Sequence, residues 1–195
     1  MKNVISLERY LEDSYTILLE GPIDMAMANQ IVMKMLCLDA RLKAEGVPKH
    51  EAEITLLINS PGGDVNQGMA IYNIMNMVDC DVRTLGLGMC ASMGAFLLSA
   101  GTYGKREVLP DCEIMIHQPL GGAQGQAEDI RIHTERILRT RDKLNNILAL
   151  NTGKTLSEIE QATDRDHFMT AEEALAFGLI DSIRPSHPKA YRITP

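Results

Sequence analysis

The chain has 195 residues, 45% of them hydrophobic, a formal charge of −7 and four cysteines. That length suits one domain with a sizeable core, and the acidic balance argues against a nucleic-acid binder, whose phosphate contacts need a basic surface. No apolar run approaches the roughly 18 residues of a membrane helix, and the N-terminal residues Lys2, Glu8, Arg9 and Glu12 lack the apolar core of a signal peptide, so a cytoplasmic protein without a membrane partner is expected.

Tyr15 to Leu19 reads as a strand closed by Gly21-Pro22. From Met25 to about Ala44 the apolar residues Ile31, Met35, Leu38 and Leu42 recur three or four apart, which marks one face of a helix. The apolar strand Ile54 to Ile58 runs into Ser60-Pro61-Gly62-Gly63-Asp64 and then a helix from about Gln67 to Met77. Val82 to Leu87 reads as another strand, and Ala95 to Gly101 as a closely packed helix. Ile114-Met115-Ile116 is a buried strand with His117 at its mouth. Gly121 to Gln126, with three glycines, suits a flexible edge or a disordered loop rather than an interior strand. Ala127 to Leu150 is a long helix carrying Ile130, Ile137, Leu144, Ile147 and Leu148 among many charges, with Gly153 beyond its end as a stop. Thr155 with Glu158, and Thr170 with Glu173, each fit a capping box opening a short helix. Asp164 to Phe168 is then a charged link between two helices, and Gly178 ends the last one.

Beyond Ile183 the chain is polar and holds Pro185, Pro188 and Pro195, so residues 1–183 are expected to form the domain and 184–195 a mobile tail. The alternation of strands and helices predicts an α/β fold around a mostly parallel sheet. Cys37, Cys80, Cys90 and Cys112 fall in apolar surroundings with no Cys-x-x-Cys spacing, which predicts buried, reduced thiols and no metal.

Gly88-Met89-Cys90-Ala91-Ser92-Met93-Gly94 sets one serine among small residues where a strand becomes a helix. There Ser92 is either an ordinary N-cap or a displayed nucleophile, because unpaired backbone N–H groups at a helix start favour developing negative charge. A serine hydroxyl needs a base within hydrogen-bond reach and a third group to orient that base. His117 and Asp166 are the candidates; the other histidines, His50, His133, His167 and His187, lie in polar segments. Cys90 breaks the Gly-x-Ser-x-Gly elbow, and the order serine, histidine, acid differs from that of the α/β-hydrolases. The glycines of Ser60-Pro61-Gly62-Gly63-Asp64 would let backbone N–H groups face a ligand, or simply make a strand-to-helix turn.

Ile58-Asn59-Ser60-Pro61-Gly62-Gly63, Ala91-Ser92-Met93-Gly94-Ala95-Phe96-Leu97-Leu98, Met115-Ile116-His117-Gln118-Pro119-Leu120-Gly121-Gly122 and Asp164-Arg165-Asp166 resemble, at matching spacing, the motifs of the proteolytic subunit of the Clp protease, the ClpP family. The resemblance runs from about Ile17 to Ile183. It implies the ClpP/crotonase-like fold, an α/β architecture of repeated strand-strand-helix units with a protruding helix-strand handle. It also implies a serine endopeptidase with Ser92 as nucleophile, His117 as general base, Asp166 as its orienting acid, and the N–H groups of Gly63 and Met93 as oxyanion hole. Gln118, Pro119, Leu120, Gly121 and Gly122 would form the substrate-binding strand, adding an edge to a bound peptide. Two stacked heptameric rings would enclose the sites, with Asp164 and Arg165 at the ring-ring contact. Met25, Met27, Met33 and Met35 would serve helix packing or ring contacts.

The implied partners are unfolded polypeptides and an AAA+ unfoldase that hydrolyses ATP itself, since this chain has no Gly-x-x-x-x-Gly-Lys-[Ser/Thr] loop. No cofactor is implied. The unfoldase docking cleft would use Leu57, Met77, Leu85, Leu87 and Leu109, with Thr55 and Glu107 beside them. Glu107 places a carboxylate where an apolar anchor is expected, and its burial would cost several kcal/mol unless it is protonated or paired, so weakened or altered docking is expected, as in a subunit that works beside a paralogue. Only Met1 to Ser14 precede the first strand, so pore gating is also expected to differ. Besides the active peptidase, two other readings are an inactive or conditionally active ring subunit that requires a paralogous ClpP partner, and a crotonase-like acyl-CoA enzyme, which needs no serine nucleophile.

Overall fold

The computed structural model describes residues 6–185. In chain order they form α1 (Leu7–Asp13), β1 (Thr16–Glu20), α2 (Met25–Ala44), β2 (Glu53–Ser60), α3 (Val65–Met77), β3 (Asp81–Ala91), α4 (Met93–Ser99), β4 (Arg106–Val108), β5 (Glu113–Ile116), α5 (Ala127–Thr152), α6 (Leu156–Thr163), β6 (His167–Met169), α7 (Ala171–Phe177) and β7 (Ser182–Ile183). The expected tail lies largely outside the described residues, with Pro188, Pro195 and His187. Arg184 is anchored: its N–H donates to the Val108 carbonyl at 2.9 Å.

Period-two burial sets the sheet. In β2, Ile54, Leu56, Ile58 and Ser60 are buried while Glu53, Thr55, Leu57 and Asn59 are half-buried, the signature of a strand whose one face is core. The parallel ladder runs β1-β2-β3-β4-β7, with β5 on a separate stretch of β3 and β6 antiparallel to β5. This is the mostly parallel α/β arrangement that the sequence and the resemblance imply.

Helices pack on the inner face through the residues that their spacing singled out. Ile31, Met35, Leu38 and Leu42 of α2 are buried, as are Ile71 and Ile74 of α3, each contributing roughly 1.5–3 kcal/mol by leaving water. All of α4 is buried. Asp24 and Asp64 cap α2 and α3, and both capping boxes form, at Thr155 with Glu158 and Thr170 with Glu173. Gly153 and Gly178 end α5 and α7 in the left-handed conformation. The first half of α5 stands away from the core: Ile130, Ile132 and Leu138 are exposed, whereas Leu144 and Leu148 are buried.

β3 runs four residues past the expected end at Leu87. Thr84–Gly86 pair with β4, and Met89–Ala91 pair with β5. Between the two stretches the register against β2 slips, from Ile58 opposite Gly86 to Ser60 opposite Cys90. A bulge of this kind bends a strand, and here it delivers the end of β3 to the mouth of β5.

Candidate active site

Ser92 follows the last residue of β3, and its N–H donates to the Met115 carbonyl of β5 at 2.8 Å. Its backbone is at φ 54°, ψ −121°, a conformation that a residue with a side chain holds only under constraint from its surroundings. Although Ser92 occupies the N-cap position of α4, its side chain caps nothing. Instead Oγ lies 2.9 Å from Nε2 of His117. Of the two readings that the sequence left open, the hydroxyl is displayed rather than spent on the helix.

His117 follows β5 directly, and Asp166 directly precedes β6. Because the two strands are antiparallel with Ile116 opposite His167, the residue after one lies beside the residue before the other. Nδ1 of His117 is 2.8 Å from Oδ1 of Asp166. An ionised carboxylate only accepts hydrogen bonds, so Nδ1 carries the proton and Nε2 is left to accept the Ser92 hydroxyl. The histidine side chain is 13% exposed and the aspartate side chain 60%. The link holding Asp166 joins a helix to a strand, correcting the expected helix-to-helix link.

The turn from β2 to α3 is strapped down at Ile23, whose N–H donates to the Gly62 carbonyl and whose carbonyl accepts from Asp64, both at 2.8 Å. Gly62 is thereby pressed against the serine: a β-carbon there would lie 2.7 Å from Ser92 Cβ and 3.0 Å from the Met93 nitrogen. The N–H groups of Gly63 and Met93 make no hydrogen bond among the described residues, and both residues line cavities that also touch Ser92.

A cleft of about 480 Å³ opens over Ser92 and His117, lined by the turn from Pro61 to Asn66, by Pro119 to Gly122, and by His133, Arg136, Ile137 and Thr140 of α5. A narrow apolar pocket beside it is walled by Val65, Met93, Phe96, Ile116, Leu144 and Leu148. From sequence, Ile137 reads only as part of the helix's apolar set and His133 as lying in a polar segment, and no α5 residue is expected at the site. The spacing of three, one and three among His133, Arg136, Ile137 and Thr140 places them on one helical face, which was the available signal.

Pro119 to Gly122 reach the cleft, yet Gln118 to Gly122 form no strand in the single chain. Gln118 donates its N–H to the Thr163 carbonyl at 2.6 Å and its side-chain amide to the Asp164 carbonyl at 2.9 Å. Arg165 is 83% exposed and turns back on Asp164, 2.7 Å from its carbonyl and 3.3 Å from its carboxylate.

Of the expected docking residues and their neighbours, Leu57, Leu85 and Glu107 stand in register on adjacent strands, while Met77 ends α3 and Leu109 follows β4. Leu57, Leu87 and Leu109 are half-buried and Met77 is exposed, but Leu85 is only 5% exposed and offers little surface. Of the alternatives that the sequence leaves for a buried Glu107, the structure shows the paired one. Arg83 donates to it at 2.9 Å, Arg184 contacts it, and Ser182 donates at 3.3 Å. Burial pushes the Glu107 carboxyl up, but Arg184 and Arg83 outweigh that and hold it below its ordinary range. Cys37 is exposed rather than buried, while Cys80, Cys90 and Cys112 are buried as expected. His167 is half-buried against the Phe177 ring, edge-on at 5.8 Å, rather than solvated.

Among the described residues no helix is long and apolar enough to cross a membrane, and no three His, Cys, Asp or Glu side chains group as a metal site. Compared with known families, the chain matches the family model of the Clp protease over residues 2–187.

Proposed function

The chain belongs to the Clp protease family, a family of serine peptidases, and from that premise we propose that it hydrolyses peptide bonds of unfolded proteins through Ser92, His117 and Asp166. The observation that carries this reading is the unbroken line from Asp166 through His117 to Ser92, with contacts of 2.8 and 2.9 Å. Ser92 Oγ attacks the scissile carbonyl carbon as its proton passes to Nε2 of His117. The oxyanion is met by the N–H groups of Gly63 and Met93, which have no other partner among the described residues. The C–N bond then breaks, His117 gives its proton to the departing amine, and an acyl ester remains on Ser92. Water, deprotonated by His117, releases the second product by the same path. Asp166 keeps the imidazole in the tautomer that accepts from serine and stabilises the imidazolium.

In this reading a peptide lies along Gln118 to Gly122, where the backbone beyond Gln118 would gain a strand partner. Assembly into paired heptameric rings forming a chamber is supported by apolar surface left uncovered on the single chain: Leu7, Tyr10, Met25 and Met33 are each more than half exposed. An AAA+ unfoldase would feed that chamber in the cytoplasm, a compartment that suits four cysteines joined in no disulfide. The conditional-subunit reading draws support from one feature, the 60% exposure of the Asp166 side chain, which leaves the acid open to adjustment by a neighbouring subunit. Hydrolysis of an unfolded fluorogenic peptide by the purified chain, abolished in Ser92→Ala, supports the active reading. Hydrolysis that begins only when a paralogue is added favours the conditional one.

A further inference from the structure

The cleft over Ser92 carries a charge for which the proposed chemistry has no use. Along α5, Arg131 pairs with Glu128 and Glu135, and Arg141 with Asp142, while Arg139, which makes no ion pair among the described residues, does not line the cleft. Arg136 lines the cleft, is exposed, and makes no ion pair or side-chain hydrogen bond among the described residues. The cleft has one carboxylate in its lining, Asp64, and that side chain accepts the Gln67 N–H at 3.0 Å as the cap of α3. The remaining titratable groups there are His117, held by Asp166, and His133, one turn before Arg136.

The wall that bears Arg136 is set against the segment proposed to pair with substrate. A β-carbon at Gly121 would lie 2.7 Å from Cδ1 of Ile137, the next residue of α5. A peptide lying along Pro119 to Gly122 would therefore pass beside this helical face. Successive side chains of an extended peptide point to opposite sides, so one of any two neighbouring substrate positions faces α5.

We propose that Arg136 is a specificity-determining residue that holds an aspartate or glutamate side chain of the substrate within a few residues of the scissile bond. This rests on reading the cleft as the peptide site. A guanidinium offers a planar pair of donors matched to a carboxylate, and a lysine at the same substrate position meets a like charge. Because the site is open to water, the discrimination is modest and falls as salt rises.

The test uses paired peptides that differ only by Glu or Lys, with the variable position scanned on both sides of the cleavage point. Binding to the Ser92→Ala protein is read by fluorescence anisotropy, and cleavage by the protein with Ser92 intact is read in parallel. The expected result is a preference for glutamate of roughly threefold to tenfold at one or two positions, reduced in Arg136→Gln and inverted in Arg136→Glu. Absence of binding by either peptide, or a Glu-to-Lys ratio unmoved by Arg136→Glu, overturns the proposal. Discrimination in binding without any cleavage leaves it standing and overturns the peptidase reading instead.

Discussion

Gly62 and Ser92 share one crowded corner. A β-carbon on Gly62 would stand 2.7 Å from Ser92 Cβ and 2.8 Å from the Ala91 carbonyl oxygen, and the glycine backbone is at φ +93°. Only a residue without a side chain holds that conformation at that distance without strain. Gly62→Ala is expected to push the β2–α3 turn away from the serine, separating Gly63 from Met93. A shift of about 1 Å at a reacting group can lower the rate about 100-fold. Peptide hydrolysis should fall on that scale while circular dichroism stays native, and an unchanged rate would contradict the assignment of this turn.

Asp166→Asn tests the orientation of His117. An asparagine amide can donate to Nδ1, stabilising the tautomer whose Nε2 bears the proton and cannot accept from Ser92. A fall in kcat of roughly 1,000-fold or more is expected, with the fold intact because the side chain is largely exposed. A rate within tenfold of the parent would remove Asp166 from the mechanism.

Arg106 is 4% exposed and holds Asp181 through two contacts, at 2.9 and 2.6 Å, while a third nitrogen donates to the Asn151 carbonyl at 2.7 Å. One side chain thus ties β4 to the residue before β7 and to the end of α5. Arg106→Met leaves Asp181 without its counter-charge and is expected to cost about 3–5 kcal/mol in chemical denaturation. Burial raises the Asp181 carboxyl, but hydrogen bonds from Arg106 and Gly104 outweigh it and hold it below its ordinary 3.8. A depressed folded-state value stabilises the protein at pH values above the unfolded one, and that stabilisation is lost as pH falls through the folded value. Melting temperature should therefore drop below about pH 4, and less steeply in Asp181→Asn; identical acid profiles would contradict the linkage.

Arg165→Ala tests whether the exposed Asp164-Arg165 link joins rings. Native mass spectrometry should show single rings in place of pairs, together with reduced peptidase activity, because Asp166 is the next residue. Unchanged assembly and unchanged rate would disconnect this link from both.

Thiol labelling checks the burial pattern. Cys37 is exposed and the other cysteines are buried, and burial raises the Cys80 thiol to about 12. One thiol should react quickly in the native protein and the remaining three only after unfolding. Rapid labelling of Cys90 or Cys112 would contradict the packing beneath Ser92.

Elements ruled by local chemistry were legible in the sequence. The span of α2, Met25–Ala44, matches its apolar spacing, and both capping boxes form where Thr155 and Thr170 stand. The full length of β3 was not, because the small residues from Gly88 to Ala91 read as the approach to a helix rather than as strand, although Gly86 falls within the expected strand. Both glycines belong to the strand and are closely packed there: a β-carbon at Gly86 would meet the sulfurs of Cys90 and Cys112 at 2.8 and 3.0 Å, and one at Gly88 would meet Asn59 Oδ1 at 3.2 Å. β6 is three residues long and exists through its pairing with β5, a long-range contact with no local signature. That pairing is what brings Asp166 to His117. Whether Glu107 is paired was not legible locally, because Arg83 and Arg184 reach it from distant parts of the chain. Arg136 escaped notice among the many charges of α5 because its distinction is its place in the wall of the cleft, which depends on how the helix packs against Gly121.

The most direct test of the central claim, that Ser92 is an activated nucleophile, is the intact mass of the assembled protein after exposure to a fluorophosphonate. The expected result is one adduct per chain, absent in Ser92→Ala. An assembled protein that takes up no adduct, or a Ser92→Ala variant that still takes one, would contradict it.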